Sequence, residues 1–105
     1  MAMVFALVKD LFFRTKIQES GKRAKKKIEF VDSLETAQGE LVIVDLEDFP
    51  REDVKTFKEK NSESMVVGYL SHKQTGLREK ALNEGFDLVL VRSEFVKRLG
   101  ELLKG

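Results

Sequence analysis

Residues 40–50, Glu40-Leu-Val-Ile-Val-Asp45-Leu-Glu-Asp48-Phe-Pro50, decide how the rest of this chain is read. Leu41 to Val44 form an apolar run too short for a helix and apolar on both faces, the pattern of a parallel strand buried on both sides. The run stops at an acid, Asp45, with Glu47 and Asp48 close behind it. Open α/β sheets bind ligands at the carboxyl ends of their strands, so an acid delivered there is a candidate site residue.

Four further apolar runs flank this one: Val4 to Val8, Ile28 to Val31, Met65 to Leu70 and Leu88 to Val91. Segments of helical pattern lie between them. Such alternation predicts an α/β three-layer sandwich with a parallel sheet at its centre. The last helix is the clearest, because Phe95, Leu99, Leu102 and Leu103 make one apolar stripe, and Ser93 is its expected N-cap. A helix beginning at Pro50 packs through Val54 and Phe57, and one over Thr75 to Glu84 packs through Leu77 and Ala81 and stops at Gly85. The first helix follows Asp10, points Phe13 and Ile17 inward and ends near Gly21. Ser33 to Gly39 leaves room for only one or two turns, so the second crossover is thin, and apolar sheet surface left uncovered there gives a reason to expect a homodimer.

Bulk composition excludes much. The 105 residues are expected to form one domain, 1–105. Nineteen basic and eighteen acidic residues nearly cancel, which argues against affinity drawn mainly from nucleic-acid phosphates. There is no cysteine and only one histidine, so thiolate chemistry and histidine-rich metal clusters are ruled out. Met3 to Val8 is too short to span a bilayer and lacks the basic flank of a secretory signal, which leads to a cytoplasmic expectation. A charged fraction of 35% with two Asn and three Gln leans toward the composition of heat-adapted proteins.

The common topology for five such strands is the order 2-1-3-4-5 of flavodoxin-like folds. It places the ends of strands one, three, four and five around one crevice, bringing together Asp10, Asp45, Ser71 and Arg92. Carboxylates about 4–6 Å apart raise one another's pKa unless a cation lies between them, so Mg²⁺ or a basic side chain is expected. Asp10 reads either as a metal ligand or as the N-cap of the first helix. Arg92 reads as an anion binder or as an ion-pair partner of Asp45. His72 reads as a solvated loop residue, and the basic run Lys22 to Lys27 as a helix end whose cations complement the dipole. Phe12 and Phe13 cannot both face the core, because adjacent helical residues point about 100° apart.

At these residues the chain resembles the receiver domain of two-component response regulators, of the chemotaxis type. Leu41-Val-Ile-Val-Asp45 is similar to the strand bearing the phosphorylated aspartate. Val66-Val-Gly-Tyr-Leu-Ser71 looks like the strand ending in the switch Ser or Thr, and Gly85 to Ser93 looks like the segment ending in Lys-Pro. The resemblance implies that Asp45 accepts phosphate from a histidine kinase or an acyl phosphate. It further implies that Asp10, Asp45 and the backbone carbonyl of Glu47 hold Mg²⁺, and that Ser71 and Arg92 bind phosphoryl oxygens. Lys9 stands where the family has a second acid, Arg92 where it has lysine, Ser93 where it has proline and Val89 where an aromatic switch residue is usual. Pro50 comes one residue late. The expected function is therefore a receiver-like signalling or protein-interaction module, meeting a kinase or an effector, that does not run the full phosphorylation chemistry. The alternatives are a competent phosphoacceptor in a phosphorelay and, in another class, a small Mg²⁺-dependent phosphotransfer or nuclease-like enzyme using Asp45, Glu47 and Asp48.

Overall fold

The computed structural model describes residues 3–49, 53–71 and 75–104. Five strands, β1 (Met3–Leu7), β2 (Lys27–Phe30), β3 (Leu41–Asp45), β4 (Met65–Leu70) and β5 (Leu88–Val91), form one parallel sheet in the order β2-β1-β3-β4-β5. The chain order reverses between β1 and β3, which is where such sheets open a crevice at the strand tips. Four helices cover the sheet: α1 (Leu11–Ala24), α2 (Asp53–Lys60), α3 (Thr75–Asn83) and α4 (Arg92–Lys104). The three-layer arrangement and strand order match the sequence expectation.

Alternation along the strands divides the apolar residues between two cores. Val42 and Val44 of β3 join Val54 and Phe57 of α2 and Ala81 of α3 on one face. Leu41 and Ile43 point the other way, joining Phe13 and Ile17 of α1 and Phe95, Leu99 and Leu103 of α4. Asp45 is the next residue in that second alternation, so its carboxylate starts out on the α1–α4 side.

The β2–β3 crossover contains only a 3-10 turn, Leu34–Thr36, capped by the Ser33 hydroxyl accepting from the Glu35 amide. The expected bare sheet does not follow from it. Leu34 and Ala37 are buried over Phe5 and Leu7, so the thin connection still seals the core. It leaves a trough beside α2 instead.

Two expected helix boundaries are corrected. Helix α1 runs past Gly21 and closes at Lys25, whose φ of 58° lies in the left-handed region. Gly21 is there for close approach: a Cβ would stand 2.6 Å from Ile28 Cγ1, so only glycine lets α1 lie this near β2. Helix α4 starts at Arg92 directly after β5, which puts Ser93 inside the first turn. No loop residue is left to act as a cap, and Glu94 supplies the acid that complements the helix dipole. At the end of α3, Gly85 has a φ of +111°, as its role of stop requires. Pro50, expected to start the helix after β3, and His72 lie outside the described residues. No helix among the described residues is long and apolar enough to cross a membrane.

Candidate functional site

Asp45 ends β3 with no exposed surface. A carboxylate in that position needs donors, and among the described residues it has two. Its Oδ1 accepts from the Glu47 amide at 3.0 Å, because the chain turns as soon as the strand ends. Its Oδ2 accepts from the Tyr69 hydroxyl at 3.2 Å, since the register pairs Asp45 with Tyr69 across β3 and β4. Burial raises the Asp45 carboxyl above its ordinary value. The Glu47 amide opposes that rise, the charge of Asp48 adds to it, and the Tyr69 hydroxyl and Arg92 oppose it in turn. The Tyr69 phenol is pushed up, by burial first and then by the negative charge of Asp45, so it remains a donor.

Below this pair lies an aromatic bed. Tyr69 stacks between Phe13 of α1, with centroids 4.9 Å apart, and Phe95 of α4, at 4.5 Å. Both rings come from the apolar stripes that dock α1 and α4 on the sheet, so the burial of Asp45 follows from how the helices pack.

Above it, Glu47 joins three strand tips. Its Oε1 accepts from the Ser71 amide at 3.3 Å at the end of β4, and its Oε2 accepts from Arg92 Nη2 at 2.7 Å at the end of β5. The Arg92 guanidinium also lies 5.3 Å from the centroid of Phe13. Arg92 is therefore an ion-pair partner, but of Glu47 where Asp45 was expected. Glu47 acts through its side chain as well as its backbone, because only a side chain reaches both neighbouring tips. Ser71 takes part through its amide.

Asp10 is the N-cap of α1, its Oδ1 accepting from the amides of Phe12 at 2.8 Å and Phe13 at 3.2 Å. Lys9 places its Nζ 5.2 Å over the ring of Phe49. The charge of Arg92 acts on Asp45. Of the adjacent phenylalanines, Phe13 is buried and Phe12 is 60% exposed.

The acids that a divalent cation would draw on are engaged within the chain. Mg²⁺ requires about six oxygens in near-octahedral order. Both oxygens of Asp45 are engaged, one oxygen of Asp10 caps a helix, and the carboxylate of Glu47 is neutralised by Arg92. Among the described residues no three acids or histidines converge on a common point. The same fact counts against Asp45, Glu47 and Asp48 as a metal-holding trio.

Tyr69 is the member that sequence reasoning overlooked, and Glu47, read there as a metal ligand through its carbonyl or carboxylate, was not matched to Arg92 and Ser71. A signal for Tyr69 was present: a tyrosine inside a fully apolar strand must find a partner for its hydroxyl, and the buried acid of the neighbouring strand is the nearest kind available. Glu47 gave none.

No family model matches the sequence, and no curated protein matches it. The fold does have counterparts. A response regulator from Hahella chejuensis superposes with a TM-score of 0.82 at 17% identity, over 98% of this chain and 92% of its own. A response regulator receiver domain protein from Clostridium thermocellum gives 0.79 at 13% identity, over 98% and 91%. A response regulator from Burkholderia pseudomallei, solved with a phosphorylated aspartic acid, a calcium ion and citrate, gives 0.77 at 12% identity, over 97% and 71%. The chain therefore has the receiver fold that its motifs resemble.

Proposed function

We propose that this receiver-fold chain is a signalling or protein-interaction module that works by surface contact, with Asp45 serving as a buried structural acid in place of a phosphoacceptor. One observation carries the reading: the Asp45 carboxylate has no exposed surface and both of its oxygens accept hydrogen bonds from within the chain. In-line attack on a phosphorus centre needs an accessible oxygen and a cation to neutralise the phosphoryl charge. Here the oxygens lie under the Glu47 loop, and Arg92, the nearby cation, is paired with Glu47.

The function then lies in shape. The ion pair and hydrogen bond of Glu47 hold the tips of β3, β4 and β5 together without a covalent signal, and the loops they carry form the contact surface. A kinase is not required in this reading, and the partner is a protein.

The test exposes the wild type and Asp45→Asn to Mg²⁺ with acetyl phosphate, and separately with beryllofluoride, and compares amide resonances and intact mass. The expected result is no change that depends on Asp45. A resonance shift or phosphoryl adduct present in the wild type and absent from Asp45→Asn would establish the phosphoacceptor alternative and overturn this reading.

A further inference from the structure

The rim where α1 begins carries two features that the buried aspartate does not explain. One is a knob. Leu11 is 76% exposed and Phe12 60% exposed, side by side in the first turn of α1. The knob has a basic border, with Lys16 Nζ 5.4 Å from the Phe12 centroid and exposed Lys9 immediately before the helix cap.

The other is a hollow, left where the thin β2–β3 crossover passes α2. It consists of two adjoining cavities of about 170 and 230 Å³ that share Leu34 and Asp53. Their floor includes Leu34, Phe49 and Phe57, while among the described residues Asp32, Glu35 and Asp53 line their rim with one base, Lys60. An apolar floor inside an acidic rim fits an apolar side chain flanked by cations.

The knob has that chemistry, and its basic border reaches the edge of the hollow. Lys9 Nζ is 5.2 Å from the ring of Phe49, a residue of the hollow's wall, and Lys9 is only three residues from Phe12. Within one molecule the two cannot meet, because Asp10 caps α1 and holds Phe12 facing outward. Two molecules related by a two-fold axis can exchange them. When complementary patches lie next to each other on one surface, a single rotation engages both pairs at once and closes the assembly.

We infer that this chain forms a two-fold dimer in which Phe12 and Leu11 of each copy enter the Leu34–Phe57 hollow of the other, with Lys9 and Lys16 meeting Glu35 and Asp53. An unrelated basic helix would also suit the hollow. The second copy is preferred because this chain itself carries both halves of the contact, apolar with basic and apolar with acidic. The inference does not depend on whether Asp45 accepts phosphate.

Sedimentation velocity of the full chain over a concentration series tests it, with circular dichroism to confirm that each variant is folded. The wild type is expected to show a monomer–dimer equilibrium that weakens with salt. Phe12→Ser, at an exposed position, is expected to raise the dissociation constant roughly tenfold or more, as loss of an aromatic anchor does. Lys9→Glu with Lys16→Glu makes the knob acidic, and Glu35→Lys with Asp53→Lys makes the hollow basic. Each double variant alone is expected to be monomeric, and their equimolar mixture is expected to dimerise, since both contacts then pair opposite charges. A monomeric wild type, a dimer that survives Phe12→Ser, assemblies larger than two copies, or a mixture of folded variants that stays monomeric would overturn the inference.

Discussion

Replacing Tyr69 by phenylalanine removes one oxygen and leaves the ring between Phe13 and Phe95, so it isolates the bond to Asp45. A hydrogen bond to a charged group contributes about 1.5–3 kcal/mol, and a neutral one about 0.5–1.5 kcal/mol. The 3.2 Å separation is long for a hydroxyl donating to a carboxylate, and burial favours the protonated acid. Both point to the boundary between the two ranges, about 1.5 kcal/mol. For a domain near 100 residues this lowers the melting temperature by roughly 6 °C. The informative comparison is the same substitution made in Asp45→Ala. There the Tyr69 hydroxyl has lost its buried acceptor, so removing it is expected to be neutral or stabilising. Thermal and urea unfolding of the four proteins at pH 7 give the coupling directly. Equal losses in the two backgrounds, or no loss in the wild type, would refute the claim that Tyr69 supports a buried Asp45.

Other perturbations test neighbouring parts of the argument. The Asp45 carboxyl is raised in the folded state by burial, so the native protein binds this proton more readily than the unfolded chain does. Its favourable contribution is present at low pH and is lost as pH rises from about 4, the unfolded value, through the folded pKa. Asp45→Asn should therefore gain stability relative to the wild type as pH increases, measured by urea midpoints across a pH series; an advantage that shrinks with pH would contradict the burial. Gly21→Ala should destabilise by up to about 2 kcal/mol, because overpacking against Ile28, 2.6 Å from the added Cβ, costs about 1–3 kcal/mol against a gain of about 1 kcal/mol in helix propensity. Asp10→Ala should cost about 1 kcal/mol through the lost cap and leave any response to Mg²⁺ unchanged, as isothermal titration would show. Glu47→Ala should change global stability by no more than about 1 kcal/mol, since its ion pair is partly exposed, yet speed hydrogen exchange at the Ser71 amide it accepts from.

The sequence alone determined what depends on short-range pattern. Apolar runs of strand length, separated by helical periodicity, specified five parallel strands and their order, because burial on both faces leaves few ways to connect them. Asp45 at a strand tip, Asp10 before a helix and the impossibility of burying both Phe12 and Phe13 are also local facts, and each was legible. Tertiary structure decided the pairings. Tyr69 meets Asp45 across 24 positions and Arg92 meets Glu47 across 45, contacts created by strand register and helix docking that no periodicity records. The same holds for Lys9, whose alternatives on the two sides of a strand tip differ only in which ring or carboxylate the fold presents. Gly21 shows the difference in one residue: locally a glycine late in a helix reads as its end, whereas the close approach of Ile28 makes it a packing site inside a helix that continues to Ala24.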